Sequence, residues 1–113
     1  MPTPGRWLLA FLVTVAVETP IVVGLTRGHP MDARRRALIV VFAQLVTHPL
    51  VWFVFPRIAG ITGQTALALS EAWAWLAEAA FYLTVMPGLR LSRALGASAI
   101  ANAASILAGR ALL

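Results

Sequence analysis

Long apolar runs alternate with short polar gaps along the chain, and this pattern predicts four membrane-spanning helices. The runs cover about residues 7–25, 37–55, 64–86 and 94–112. Each is close to the ~20 residues that a helix needs to cross the hydrocarbon core of a bilayer. The gaps are short, so successive helices are expected to pack as antiparallel neighbours. We therefore predict an all-α, integral-membrane, up-and-down four-helix bundle that forms one domain over residues 1–113.

Polar residues recur at helical spacing within each predicted span. Glu18 follows Thr14 by four residues, and Glu78 follows Glu71 by seven. Spacings of three, four and seven place side chains on one side of a helix. Each span thus has one polar stripe, and four such stripes predict a bundle with a polar interior and a lipid-facing apolar exterior. In chain order the stripes are Thr14–Glu18, Gln44–His48, Glu71–Glu78–Tyr82 and Ser98–Asn102–Ser105.

Four of these side chains are predicted to meet near the middle of the bilayer. At about 1.5 Å per residue, Glu18, His48 and Glu78 lie at similar depths, together with Asn102. An ionisable group in hydrocarbon is costly, and within spanning segments it usually marks a pathway or a binding site. We therefore predict that these four residues converge in the bundle interior.

Further residues extend or support this predicted site. Glu71 lies about two turns nearer the end of the bundle that carries the termini, and Tyr82 about one turn nearer the opposite end. Trp75 shares the Glu71 side of its helix and is predicted to line a site for an aromatic or cationic ligand. Prolines within the spans remove a backbone hydrogen bond and permit a cavity or hinge. The supporting residues are Gln44, Thr47, Pro20, Pro49, Ser98 and Ser105.

Composition agrees with a membrane protein and removes several classes of function. Hydrophobic residues make up 60% of the chain and charged residues 12%, too few to cover a soluble surface. The chain has no Cys, which excludes disulfides, thiolate metal sites and thiol catalysis. The net charge is +5, but the arginines fall in the gaps between spans, which indicates lipid headgroups rather than nucleic acid as their partner.

The arginine distribution also predicts an orientation. Six arginines flank or occupy the first and third gaps, and three lie at the opposite end of the predicted bundle. Because cytoplasmic loops carry the excess of basic residues, both termini are expected outside the cytoplasm, in the inner membrane of a prokaryote. The expected partners are the bilayer and either further copies of the chain or a larger membrane complex.

Three functional interpretations follow from the polar stripes. The first is movement of protons, an ion or a small cationic solute through the Glu/His site. The second is a non-transporting accessory subunit or self-assembling module, in which the same side chains only hold helices together. The third is a bound metal, with Glu18, Glu78 and His48 as ligands, or haem with His48 as axial ligand. No resident cofactor is predicted, and the absence of catalytic motifs argues against an enzyme.

The size, the four short spans and an acidic residue midway along the first span resemble the architecture of small multidrug transporters. The sequence around the acid, Ala16-Val17-Glu18-Thr19-Pro20, departs from the first-span pattern of that family. Nor does the family carry an equivalent of Thr47-His48-Pro49. The resemblance is therefore architectural, and it assigns no role to any residue.

Overall fold

The computed structural model describes residues 3–58, 60 and 63–113, and these form four long helices and no strand. The predicted all-α four-helix architecture is thereby confirmed. Two short helical turns follow α2 directly, a π-helical turn at Leu50–Val54 and a 3₁₀ turn at Phe55–Arg57. The helices are α1 (Pro4–Leu25), α2 (Ala33–Pro49), α3 (Gly63–Val85) and α4 (Leu91–Leu112).

The four helices pack as a closed antiparallel ring. Contacts are most extensive between α1 and α4, followed by α3 with α4 and α1 with α2, whereas α2 and α3 share the least. In the contact between α1 and α4, the buried α4 residues Ala94, Ala97 and Ala101 leave little bulk on that helix. The longest dimension is 42 Å, comparable to a bilayer with its headgroups, which is about 40–45 Å thick.

Three of the helices are long and apolar enough to cross a membrane by themselves, namely Pro4–Leu25, Ala33–Arg57 and Leu91–Leu112. The fourth, α3, has 23 residues and is long enough, but Glu71 and Glu78 lower its mean hydropathy. Glu78 is fully buried inside the bundle, so its carboxyl group does not meet lipid. The outer surface instead exposes large apolar side chains such as Leu12, Phe42 and Leu107.

The helix boundaries differ from those predicted where polar side chains cap a helix. The first break was expected to include Arg34, Arg35 and Arg36, but these residues form the first turn of α2. The cause is Asp32, whose carboxylate accepts a hydrogen bond of 2.8 Å from the Arg35 amide and so starts the helix there. The predicted break over residues 56–63 lies partly outside the described residues. The third break, expected at 87–91, spans residues 86–90.

The two loops at one end of the bundle are joined by hydrogen bonds, and we call this end the arginine end. It comprises residues 26–32 between α1 and α2 and residues 86–90 between α3 and α4. His29 Nε2 donates to the Pro87 carbonyl at 2.9 Å, while its Nδ1 accepts from the Met31 amide at 3.1 Å. Arg93 donates to the Arg27 carbonyl at 2.8 Å. The opposite end, with both chain termini, is called the terminal end.

Arg36 closes the carboxyl end of α1. Its guanidinium donates to the Val23 carbonyl at 2.6 Å, to Thr26 Oγ1 at 2.8 Å and to the Met31 carbonyl at 3.0 Å. The side chain is 7% exposed, so these acceptors have little access to water. A cation at this place also interacts favourably with the negative end of the helix dipole.

Removing this cap should destabilise the bundle. Arg36→Met leaves several buried acceptors without a donor, so we expect a loss of about 1–3 kcal/mol in the free energy of unfolding. Arg35→Met is the matched control, because Arg35 is exposed and the change of charge is the same. Thermal unfolding in detergent micelles measures both. Equal melting temperatures for the two variants would contradict the capping role of Arg36.

Candidate functional site

Glu18 lies at the centre of the bundle with both carboxyl oxygens hydrogen-bonded. The side chain has no exposed surface. Gln44 Nε2 on α2 donates to Oε1 at 2.8 Å, and Ser105 Oγ on α4 donates to Oε2 at 2.9 Å. The Glu18 carboxyl therefore joins three helices at one point.

Glu78 on α3 occupies the adjacent position and is held in the same way. Thr47 Oγ1 donates to Oε2 at 2.7 Å, and Asn102 Nδ2 donates to Oε1 at 3.0 Å. The two carboxyl groups are neighbours, because their donors Gln44 and Thr47 lie three residues apart on α2, as do Asn102 and Ser105 on α4. We refer to these two residues as the carboxyl pair. All four helices contribute a side chain to it, so the predicted convergence holds for Glu18, Glu78 and Asn102.

The network continues from the carboxyl pair along the α3–α4 contact. Asn102 Nδ2 also donates to the Ser98 carbonyl at 2.8 Å, and Ser98 Oγ donates to the Trp75 carbonyl at 2.8 Å. The Trp75 indole donates in turn to the Leu95 carbonyl at 2.9 Å, on the outside of the bundle, and its side chain is 36% exposed. Ser98 therefore supports the site, whereas the structure does not bring Trp75 into it.

His48 is buried beside the carboxyl pair but belongs to a different environment. Its ring lies among those of Phe11, Trp52 and Trp7, with centroids 5.8, 6.0 and 6.2 Å away. Nε2 is 3.5 Å from Thr14 Oγ1, and Nδ1 has no hydrogen-bond partner among the described residues. The imidazole is thus packed by aromatic rings with one nitrogen unsatisfied.

A cavity of about 340 Å³ connects this region to the terminal end. Its inner wall includes Glu18, Asn102 and Ser105, and Arg6 and Arg110 line its outer part. The side walls carry the half-buried carboxyl of Glu71 and the rings of His48 and Trp52, with Thr14, Gln44 and Thr47. The cavity therefore extends from the terminal end to the wall that contains Glu18, whose side chain itself has no exposed surface.

Towards the arginine end the interior is packed with apolar side chains. Val22, Val40, Met86 and Ala94 have no exposed surface and form one cluster. Tyr82 belongs to the same cluster, and its hydroxyl has no hydrogen-bond partner among the described residues. A second cavity of about 270 Å³ lies beside this cluster between α2 and α3, where Thr47, Glu78 and Thr84 line it.

Two prolines interrupt the helices close to Glu18 and His48. Pro20 lies within α1, two residues beyond Glu18, and Pro49 follows His48 directly. Because proline has no amide hydrogen, the helix after Pro49 widens into the π-helical turn Leu50–Val54. This turn brings Val51 and Trp52 to the cavity wall.

The proposed metal ligands are not arranged as a ligand set. Among the described residues, no three His, Asp or Glu side chains gather closely enough to hold a metal ion. Glu18 and Glu78 are adjacent, but His48 is surrounded by aromatic rings.

The sequence reasoning omitted the two arginines at the mouth of the cavity. The signal was present for Arg6, because residues 6, 10, 14 and 18 follow one another at a spacing of four and share one face of α1. Arg6 was assigned to the headgroup region from its terminal position alone. Arg110 lies five residues beyond Ser105, the last residue of the α4 stripe, which is why the spacing did not include it.

The chain matches no protein-family model, no curated protein and no solved structure.

The hydroxyl of Thr47 should contribute to stability through the carboxyl pair. Thr47 and Thr84 both donate to the carbonyl four residues earlier, at 3.0 and 2.8 Å, but only Thr47 also contacts Glu78. We expect Thr47→Val to lower the free energy of unfolding by about 1–3 kcal/mol, because a buried carboxyl oxygen loses its donor.

Thr84→Val is the matched control for this change, since Thr84 is exposed on α3. Its effect should stay within about 0.5 kcal/mol. Unfolding of both variants is followed by circular dichroism in the same detergent. A Thr47→Val protein as stable as Thr84→Val would show that the Thr47 contact does not hold the carboxyl pair.

Proposed function

We propose that this chain is a small membrane transporter that takes up a proton or a small cation at the carboxyl pair from the terminal end. The observation that carries the proposal is the cavity of about 340 Å³, which connects Glu18 with the terminal end. A side-chain network that only held the helices together would have no need of such a route.

The chemistry of the pair supports a cation as cargo. Two carboxyl groups in contact, away from water, repel each other strongly when both are ionised. A proton or a cation between them removes that repulsion, so the pair offers one position that either can occupy. Competition of this kind is what couples proton movement to solute movement in a transporter.

The apolar cluster at the arginine end supports transport by alternating access. A conduit open at both ends would leak ions, whereas a site that is reached from one side at a time transports by alternating access. In this account the described structure is the state open to the terminal end. The smallest interhelical contact, between α2 and α3, is where the opposite opening would form.

The orientation in the membrane and the association with other chains that the sequence predicts are part of this proposal. The excess of arginine at the arginine end favours a cytoplasmic location for that end, and therefore termini outside the cytoplasm of a prokaryotic cell. The apolar outer surface is compatible with a homo-oligomer or with a subunit of a larger complex.

One specific observation favours the alternative, a structural module. Both oxygens of each carboxyl group accept a hydrogen bond, and the donors come from α2 and α4. Such a saturated network would also hold four helices together without any transport. The transporter and the structural module differ in the expected effect of a substitution that removes the ionisable group of Glu18 and keeps the shape of its side chain.

Glu18→Gln makes this distinction. Ser105 also has the Asn102 carbonyl within 3.0 Å as an alternative acceptor, so its hydroxyl can turn to receive the new amide. We therefore expect the variant to fold and to retain its melting temperature. Proton movement should fall to the level of protein-free vesicles, because the amide cannot exchange a proton.

The measurement uses protein reconstituted in vesicles that contain a pH-sensitive dye, with inward gradients of Na⁺, K⁺, ammonium or methylammonium. Glu18→Ala serves as the comparison, since it removes the acceptor of Gln44 and should lower stability by about 1–3 kcal/mol. Wild-type flux in Glu18→Gln, combined with instability only in Glu18→Ala, would make Glu18 a structural residue and refute the proposal.

A further inference from the structure

The cavity at the terminal end has acidic residues at its inner level and arginines at its outer level. Glu18 lies at its inner wall and Glu71 along its side, whereas Arg6 and Arg110 line the outer part. Between Ser105, which binds Glu18, and Arg110 the α4 axis rises by about 7.5 Å. A molecule of a few heavy atoms in length therefore spans the distance from the acids to the arginines.

The arginines affect which solutes can enter. A simple cation must pass two guanidinium groups before it reaches the carboxylates, and this like charge opposes its approach. A solute that also carries an anionic group has the opposite interaction, because arginine binds carboxylate and phosphate through paired hydrogen bonds. With arginines at its outer part and acidic residues further in, the cavity thus disfavours plain cations. It favours solutes that carry both a cationic group and an anionic group.

His48 provides a second, independent indication that the cavity holds a ligand. Its side chain is 9% exposed and lines the cavity, and its Nδ1 has no partner among the described residues. A buried polar atom without a partner is uncommon in native structures and needs an explanation. A ligand with hydrogen-bonding groups would supply the missing partner beside the aromatic ring of Trp52.

From this arrangement we propose that the cavity binds a small zwitterion, with its ammonium group at Glu71 on the acidic inner part and its carboxylate at Arg6 and Arg110. This inference rests on the proposed transport function and specifies its substrate class as amino-acid-like molecules with separated charges. The cavity of about 340 Å³ is large enough for a solute of this kind with a few waters.

The test measures ligand binding to the purified protein in lipid nanodiscs by calorimetry. The probes are β-alanine, 4-aminobutyrate and 6-aminohexanoate, each compared with the amine and the carboxylic acid of the same chain length. At least one zwitterion should bind about tenfold more tightly than both of its single-charge analogues, since it gains a second charge-assisted contact.

Two arginine variants locate the anion contact. Arg110→Gln should weaken binding of the zwitterion severalfold, because one of its two anion contacts is lost, and should not weaken binding of the amine, which only loses a like charge. Arg57→Gln is the matched control, because Arg57 follows α2 at the same end of the bundle and is exposed away from the described cavity lining. It should leave the affinity for every probe unchanged.

The contrary outcomes separate the two proposals. If the amine binds as tightly as the matching zwitterion, or if Arg110→Gln and Arg57→Gln behave alike, the zwitterion inference is overturned while a cation transporter remains. If no zwitterion or amine binds and Glu18→Gln also leaves proton flux at the wild-type level, both the inference and the proposed function fail.

Discussion

The structure depends on how the bundle accommodates two carboxyl groups in its centre. Glu18 and Glu78 are fully buried and accept hydrogen bonds from neighbouring donors, in a protein whose outer surface exposes large apolar side chains. Buried polar groups are tolerated only when they are hydrogen-bonded. The donors come from Gln44, Thr47 and Asn102, with Ser105, so the requirement fixes the rotation of every helix about its own axis. The packing of the apolar cluster and the position of the cavity follow from these rotations.

The same constraint connects the fold with the proposed function. The carboxyl pair lies between the cavity of the terminal half and the apolar cluster of the other half, and Glu78 also lines the smaller cavity between α2 and α3. Arg36 and the hydrogen bonds of His29 and Arg93 hold the packed half closed at the arginine end. The terminal half lacks comparable hydrogen bonds among its described loop residues, and there the helices leave a cavity of about 340 Å³ between them. A site accessible from one side at a time is the property that a transporter requires and a scaffold does not.

Much of this arrangement was predictable from the sequence, because helical spacing is a strong signal. The stripes of Glu18, Glu78 and Asn102 identified the inward faces and their depth, and the structure brings these three side chains together. The aromatic surroundings of His48 were not predictable, since they depend on how α1 and α2 pack and on the π-helical turn after Pro49. Trp75 shares the side of α3 that carries Glu71, yet it contacts the Leu95 carbonyl outside the bundle, a difference that spacing alone does not resolve.

The most direct test of the account asks whether water reaches the carboxyl pair from the terminal end only. The chain contains no Cys, so a single substitution introduces a unique thiol. Thr14→Cys places it in the cavity wall and Val22→Cys places it in the apolar cluster. A water-soluble, membrane-impermeant thiol reagent is applied to oriented vesicles from each side. The account predicts that Thr14→Cys reacts from the terminal end alone and that Val22→Cys reacts from neither. Protection of Thr14→Cys from both sides would mean a dry, closed network and would contradict the account.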